Sequence, residues 1–311
     1  MKLCIVVPCY NEEAVLCITA EKIKGYLAEL IQKGKISADS RVVFVDDGSR
    51  DSTWKLISGL SADSLFDGIK LSRNCGHQNA LLAGLLTVKD NFDAVISMDA
   101  DLQDDIEAIE KMVDAYKDGA DIVYGVRSSR KKDSFFKRTS AALFYRLMGT
   151  RTVNNHADYR LMSRRALDAL SNFGEVNLFL RGIVPMIGLP TATVYYERGE
   201  RAAGESKYPL KKMISFAFEG ITSLSIKPIE IIIKLGLLLS VIGIGIIIYS
   251  IVQHFLDNTN AGWTSIIASI WMLGGLQLVA IGVIGKYIGK IYLETKHRPR
   301  YIIEKTTMDE K

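Results

Sequence analysis

Phe92-Asp93-Ala94-Val95-Ile96-Ser97-Met98-Asp99-Ala100-Asp101-Leu102-Gln103 decides the reading of this chain, because a short apolar run ends in two carboxylates and an amide on alternate residues. Residues 92–97 read as a buried strand. In an extended chain, residues 99, 101 and 103 project to one side. Hard oxygen donors at that spacing suit Mg²⁺ or Mn²⁺, which keep open positions for water and substrate phosphates. The same residues also fit a solvated acidic turn ahead of a helix starting near Asp104, since Asp is favoured at helix N-termini. The surroundings of the motif decide between the two.

Working outward, strand-like runs at Leu3–Val7, Val42–Val45, Gly68–Leu71, Ala94–Met98 and Ile122–Tyr124 alternate with amphipathic stretches at Glu12–Lys33, Ser52–Leu60, Asn79–Val88 and Ile106–Lys117. That alternation predicts a doubly wound α/β sheet, in which ligands collect at the C-terminal ends of the strands. Polar loops sit at four of those ends: residues 8–13, 46–51, 73–77 and 99–101. Delivered to one rim, they predict a nucleotide-binding cleft. These loops contain neither G-x-G-x-x-G nor G-x-x-x-x-G-K-[ST], which argues against a dinucleotide fold or a P-loop.

The apolar content, 48% of 311 residues, is concentrated late in the chain. Ile229–Val252 and Thr264–Tyr287 are apolar runs of about 24 residues, roughly 36 Å of helix, enough to span a bilayer core. Two transmembrane helices are predicted, and a pair of buried core helices is the competing reading because Glu230 and Lys234 lie near the start of the first run. The connector 253–262 has no Lys or Arg, whereas Lys227, Lys234, Lys286, Lys290, Lys296, Arg298 and Arg300 lie at the other ends. By the positive-inside rule both termini are cytoplasmic. Residues 134–148 and 209–226 mix bulky apolar residues with Lys and Arg and read as interfacial helices, or as helices packed in a soluble core. The predicted organisation is a catalytic domain over 1–208, a juxtamembrane helix over 209–227, the membrane pair within 228–290 and a basic tail over 291–311. Residues 2–8 are too short for a signal peptide. Cys4, Cys9, Cys17 and Cys75 show no C-x-x-C pairing and read as reduced thiols. The net charge of +4 is modest and gathers near 127–138, 198–212 and 286–300, pointing to a membrane surface and phosphates; nucleic acid is not an expected partner.

The ordered set V-P-C-Y-N-E-E (7–13), V-D-D-G-S-x-D-x-T (45–53), S-R-N-x-G (72–76), D-A-D-L-Q (99–103), A-D-Y-R-L (157–161) and A-G-E-S-K-Y (203–208) resembles family 2 glycosyltransferases of the GT-A fold. Within that family it resembles the branch that loads a sugar onto polyprenyl phosphate, which includes dolichol-phosphate mannose synthases and bactoprenol glucosyltransferases. The Q-x-x-R-W motif of processive members is missing, so the resemblance implies one sugar per cycle. It implies that Pro8, Tyr10, Asn11, Glu12, Asp47, Arg73, Asn74 and Gly76 cradle the nucleotide-sugar donor, and that Asp99, Asp101 and Gln103 hold Mg²⁺ or Mn²⁺. Asp158 resembles the family's proposed base, although a lipid phosphate is already largely dianionic at neutral pH and hardly needs one. A positioning or Arg-pairing role for Asp158 therefore stands beside the base. Arg127, Arg138, Arg201 and Lys207 are the candidate grips for the acceptor phosphate, Arg201 also being counted catalytic, against a reading as ordinary surface charge. His77 departs from the family pattern and receives no role.

The implied reaction is inverting, metal-dependent transfer of one hexose, glucose from UDP-glucose in the first instance, to polyprenyl (undecaprenyl) phosphate at a bacterial plasma membrane. Alternatives are another donor (GDP-mannose, a UDP-N-acetylhexosamine or a UDP-aminoarabinose derivative), a soluble or protein acceptor, and a non-catalytic scaffold or flippase component. Small residues at Gly243, Gly245, Gly274 and Gly275 would allow a homo-oligomer to pack through the membrane helices.

Overall fold

The computed structural model describes residues 1–128, 156–176, 178–197, 222, 225, 227–255 and 262–308. Among these, eight strands form one sheet: β1 (Leu3–Cys9), β2 (Arg41–Asp46), β3 (Phe66–Leu71), β4 (Ala94–Ser97), β5 (Ile122–Arg127), β6 (His156–Ser163), β7 (Thr191–Tyr196) and β8 (Ile303–Thr306), in the order β7-β5-β6-β4-β1-β2-β3-β8. Strands β4, β1, β2 and β3 are parallel neighbours. The chain order reverses between β1 and β4, the switch point where open α/β sheets form a ligand crevice.

The parallel centre follows from composition. Every residue of Leu3–Cys9 is buried, as expected of a strand covered on both faces. Its side chains alternate: Leu3, Ile5 and Val7 join the cluster under α1 (Leu16–Gln32) and α4 (Ala108–Lys117), while Cys4 and Val6 face α3 (His77–Val88). Helix α2 (Thr53–Leu60) follows β2. Gly84 lets α3 seat close to the sheet, since a Cβ there would stand 2.4 Å from Val6 Cγ1 and 2.7 Å from Val45 Cγ2.

The sheet is mixed rather than all parallel. β6 runs antiparallel between β4 and β5, with Ser97 opposite Arg160. Two short helices follow it, α5 (Arg164–Ser171) and α6 (Leu180–Met186). Residues 291–311, read from sequence as a basic tail, instead contain β8, antiparallel to β3. Thr307 Oγ1 accepts from Gly68 N at 2.8 Å and lies 3.0 Å from Ser61 Oγ.

Both apolar runs form helices longer than predicted: α7 (Lys227–Phe255, 29 residues) and α8 (Trp263–Thr295, 33 residues). They belong to a second compact unit, separate from the one holding the sheet. Among the described residues, Met272–Thr295 is long and apolar enough to cross a membrane. The interfacial helix expected at 134–148 lies outside the described residues, as does nearly all of that at 209–226.

Candidate active site

Three loops at the carboxyl ends of β1, β2 and β3 build the first half of the site by bonding to one another. Asn11, at φ 55°, donates its N–H to Ser49 Oγ (2.9 Å) and accepts from Arg50 N (2.9 Å), and Glu12 N donates to Thr53 Oγ1 (2.9 Å). Both Asp47 oxygens accept backbone amides, from Cys75 N at 2.6 Å and Gly76 N at 2.9 Å. Burial raises the Asp47 carboxyl above its ordinary value, and these two amides oppose that rise. Asp47 thus ties the β3 loop to β2, leaving only second lone pairs for a nucleobase. Gly48, at φ +66°, permits this approach: a Cβ would lie 2.6 Å from Arg73 C and Asn74 N.

Between these loops is a cavity of about 190 Å³ whose walls include Pro8, Tyr10, Glu12, Asp47, Asn74 and Gly76, six of the eight residues expected to cradle a donor. Asn11 serves the loop clamp instead, and Arg73 is an exposed rim residue. Cys9, Ala80 and His77 complete the lining.

His77 opens α3 and links this cavity to the acidic strand ends. Its Nε2 stands 3.5 Å from Asp99 Oδ1 and 3.9 Å from Asp158 Oδ2. The Asp99 carboxyl is pushed up to about 6 by burial in the cleft; His77 opposes the shift, and Asp104, Asp158 and Asp101 add to it. Asp101 Oδ1 accepts from Gln103 N at 3.2 Å, and Leu102 takes φ 53° to make that turn. A carboxyl raised among neighbouring carboxylates, as Asp99 is, is the electrostatic setting that a cation relieves. Among the described residues no three His, Cys, Asp or Glu side chains form a ready cage. Two carboxylates and an amide beside an open cleft fit Mg²⁺ or Mn²⁺, which draw remaining ligands from water and phosphates.

The neighbouring strand, β6, and helix α6 bring arginines to the same strand ends. Asp158 on β6 accepts from Arg160 Nη2 at 2.5 Å through Oδ1, and from Arg181 Nε (3.2 Å) and Nη2 (2.9 Å) through Oδ2. Burial alone would raise the Asp158 carboxyl, but Arg181 and Arg160 hold it well below the usual range. A carboxylate so held is a poor proton acceptor near neutral pH. Arg127 closes β5: its Nε donates to Tyr196 Oη at 3.3 Å, and Tyr196 donates to Asp104 Oδ1 at 2.5 Å. Arg138, Arg201 and Lys207 lie outside the described residues. Sequence reasoning gave no site role to Arg160, Arg181, Tyr196 or Asp104. Only Arg160 carried a signal, being two residues from Asp158 on one strand face.

The cavity shares His77 with the acidic strand end, and comparison with known proteins identifies the family. The chain belongs to glycosyl transferase family 2, whose family model matches residues 4–177. The uncharacterized glycosyltransferase YkoT of Bacillus subtilis (strain 168) is 54% identical over 97% of this chain and 91% of its own length. The bactoprenol glucosyl transferase of Shigella phage SfX is 40% identical over 98% of this chain and 99% of its own. Among solved structures, mannosyl-3-phosphoglycerate synthase from Rubrobacter xylanophilus aligns with TM-score 0.48 and 15% identity, covering 70% of this chain and 71% of that one. The protein is therefore a glycosyltransferase.

Proposed function

We propose that the protein transfers one glucose from UDP-glucose to the phosphate of a polyprenyl (undecaprenyl) phosphate, with inversion, at the cytoplasmic face of a bacterial plasma membrane. The observation that carries this reading is the likeness to a bactoprenol glucosyl transferase over 98% of the chain, both long helices included. The acceptor named in that relative is a membrane lipid, and the helices here suit one. Leu237, Met272 and Leu278 are 68–71% exposed, an arrangement unfavourable in water and natural in lipid. We assign α7 and α8 as a two-span anchor with Lys286, Lys290 and Lys296 at its cytoplasmic end. Small residues such as Gly245, Gly274 and Gly275 on these helices suit packing between subunits.

In this reading the donor's nucleoside fills the cavity beside Asp47 and Tyr10, and its diphosphate faces Asp99, Asp101 and Gln103. Those three residues would hold Mg²⁺ or Mn²⁺, which would supply positive charge against the departing nucleoside diphosphate. The acceptor phosphate, largely dianionic at neutral pH, attacks the anomeric carbon without surrendering a proton to the protein. Asp158, held between two guanidiniums, orders those arginines. Arg127, with Arg138, Arg201 and Lys207 from the flanking segments, supplies further positive charge toward the acceptor.

The test is incubation of purified protein with Mn²⁺, a panel of nucleotide sugars and undecaprenyl phosphate, with mass spectrometry of the lipid. A lipid-linked hexose from UDP-glucose is expected, lost in a folded Asp101→Ala variant. Absence of any lipid-linked sugar from every donor refutes the reading.

A further inference from the structure

Asp158 and its two arginines carry a net charge of +1, one carboxylate against two guanidiniums. The two cations are not equivalent. Arg160 is 2% exposed, donates to Leu180 O at 3.3 Å and cannot reach a ligand. The Arg181 side chain is 40% exposed, although the carboxylate it grips is only 7% exposed. Arg181 owes its place to a specific contact: Gln78 Oε1 accepts from Leu180 N at 3.0 Å, docking the start of α6 on the first turn of α3. Residue 77 of that turn reaches Asp99 and Asp158. A partly exposed arginine on a buried mount therefore stands two side chains, Asp158 and His77, from Asp99 at the acidic strand end.

We propose that Arg181 grips the phosphate of the acceptor, and that Asp158 is a positioning residue that aims the Arg181 guanidinium. The inference rests on the lipid-phosphate reading above. Transfer requires two anions, the donor's diphosphate and the acceptor's phosphate, to meet across the sugar. Asp99 and Asp101, with the metal they would hold, would serve the first; a fixed cation beside them would serve the second. Arginine suits the task because its planar fork matches phosphate oxygens, and a mounted fork loses little freedom on binding. Arg160 then has a defined part as well: together with Arg181 it outnumbers the buried carboxylate and leaves the cluster a net positive charge.

Initial rates for Arg181→Ala, Arg181→Lys, Asp158→Asn and Asp158→Asn/Arg181→Ala, varying undecaprenyl phosphate and UDP-glucose separately, test the proposal. Arg181→Ala should raise the acceptor KM roughly 10- to 100-fold, the range for losing a hydrogen-bonded charge, and leave the donor KM within about twofold. Arg181→Lys should recover part of that loss. Asp158→Asn should raise the acceptor KM alone but add nothing to Arg181→Ala, because it acts through the same guanidinium. Thermal unfolding is read alongside, and Arg181→Lys carries the test if the alanine variant does not fold. A rise in the donor KM with an unchanged acceptor KM overturns the proposal, as does a fall in kcat with both KM values unchanged. Wild-type protein that glycosylates no lipid phosphate overturns the function and this inference together. Active wild type with an unaltered acceptor KM in the variants overturns this inference alone.

Discussion

Replacing Gly48 with alanine tests whether the first three strand-end loops form one cradle. At φ +66° the new residue takes a left-handed conformation costing about 1–2 kcal/mol. The spatial problem is larger. A Cβ would meet Arg73 C and Asn74 N at 2.6 Å and Arg73 Cα at 2.9 Å, all backbone atoms that cannot rotate away. Relief requires the β3 loop to withdraw from β2, which stretches the bonds from Cys75 N and Gly76 N to Asp47. Losing one hydrogen bond to a charged group costs about 1.5–3 kcal/mol, so strain plus one lost bond comes to about 2.5–5 kcal/mol. If 3 kcal/mol of that falls on the bound state, UDP affinity drops roughly 100-fold. Calorimetry with UDP, beside thermal unfolding, measures both. Gly59→Ala is the control: its Cβ meets nothing within 4 Å inside α2, so it should stabilise by about 0.5–1 kcal/mol and leave UDP binding unchanged. A Gly48→Ala protein that binds UDP and melts like wild type would refute the coupling through Asp47.

Three further outcomes follow, two from titration and one from the sheet edge. With the Asp99 carboxyl pushed up to about 6, Mn²⁺ binding should weaken as pH falls through about 6, where an ordinary carboxylate would hold its metal to about 4. Electron paramagnetic resonance of free Mn²⁺ reads this, and an affinity flat from about pH 5 to 8 would contradict it. The stability sign is the reverse. A raised carboxyl contributes stability that is present below its ordinary value and lost as pH rises through about 6, so metal-free protein should gain from acidification in that window. Thr307→Val leaves Gly68 N–H without its acceptor and should cost about 1–3 kcal/mol in thermal unfolding. An unchanged melting temperature would show that the β3 edge does not depend on this side chain.

The parallel half of the fold was legible because strands buried on both faces read as unbroken apolar runs ending in polar loops. Leu3–Cys9 and Ala94–Ser97 are such strands, and the four loops expected on one rim follow parallel neighbours. The antiparallel additions were not legible. Ile303-Glu304-Lys305-Thr306 is largely exposed and charged, and only pairing with β3 makes it a strand. Within the site, Asp47 was recognisable as a strand-end carboxylate, but its partners, two backbone amides, leave no trace in residue identity. His77 and Arg181 owe their positions to how α3 and α6 dock. No spacing rule relates residues 77, 99, 158 and 181.

The bond from Gly68 to Thr307 spans 239 residues, with both long apolar helices inside that interval. During synthesis the β3 edge therefore stays unpaired until the helices have left the ribosome. A chain truncated before them exposes open strand amides, the kind of edge that invites association and removal. Strand β8 is thus the last of the eight strands to be made, and the β3 edge is covered only once both long helices exist.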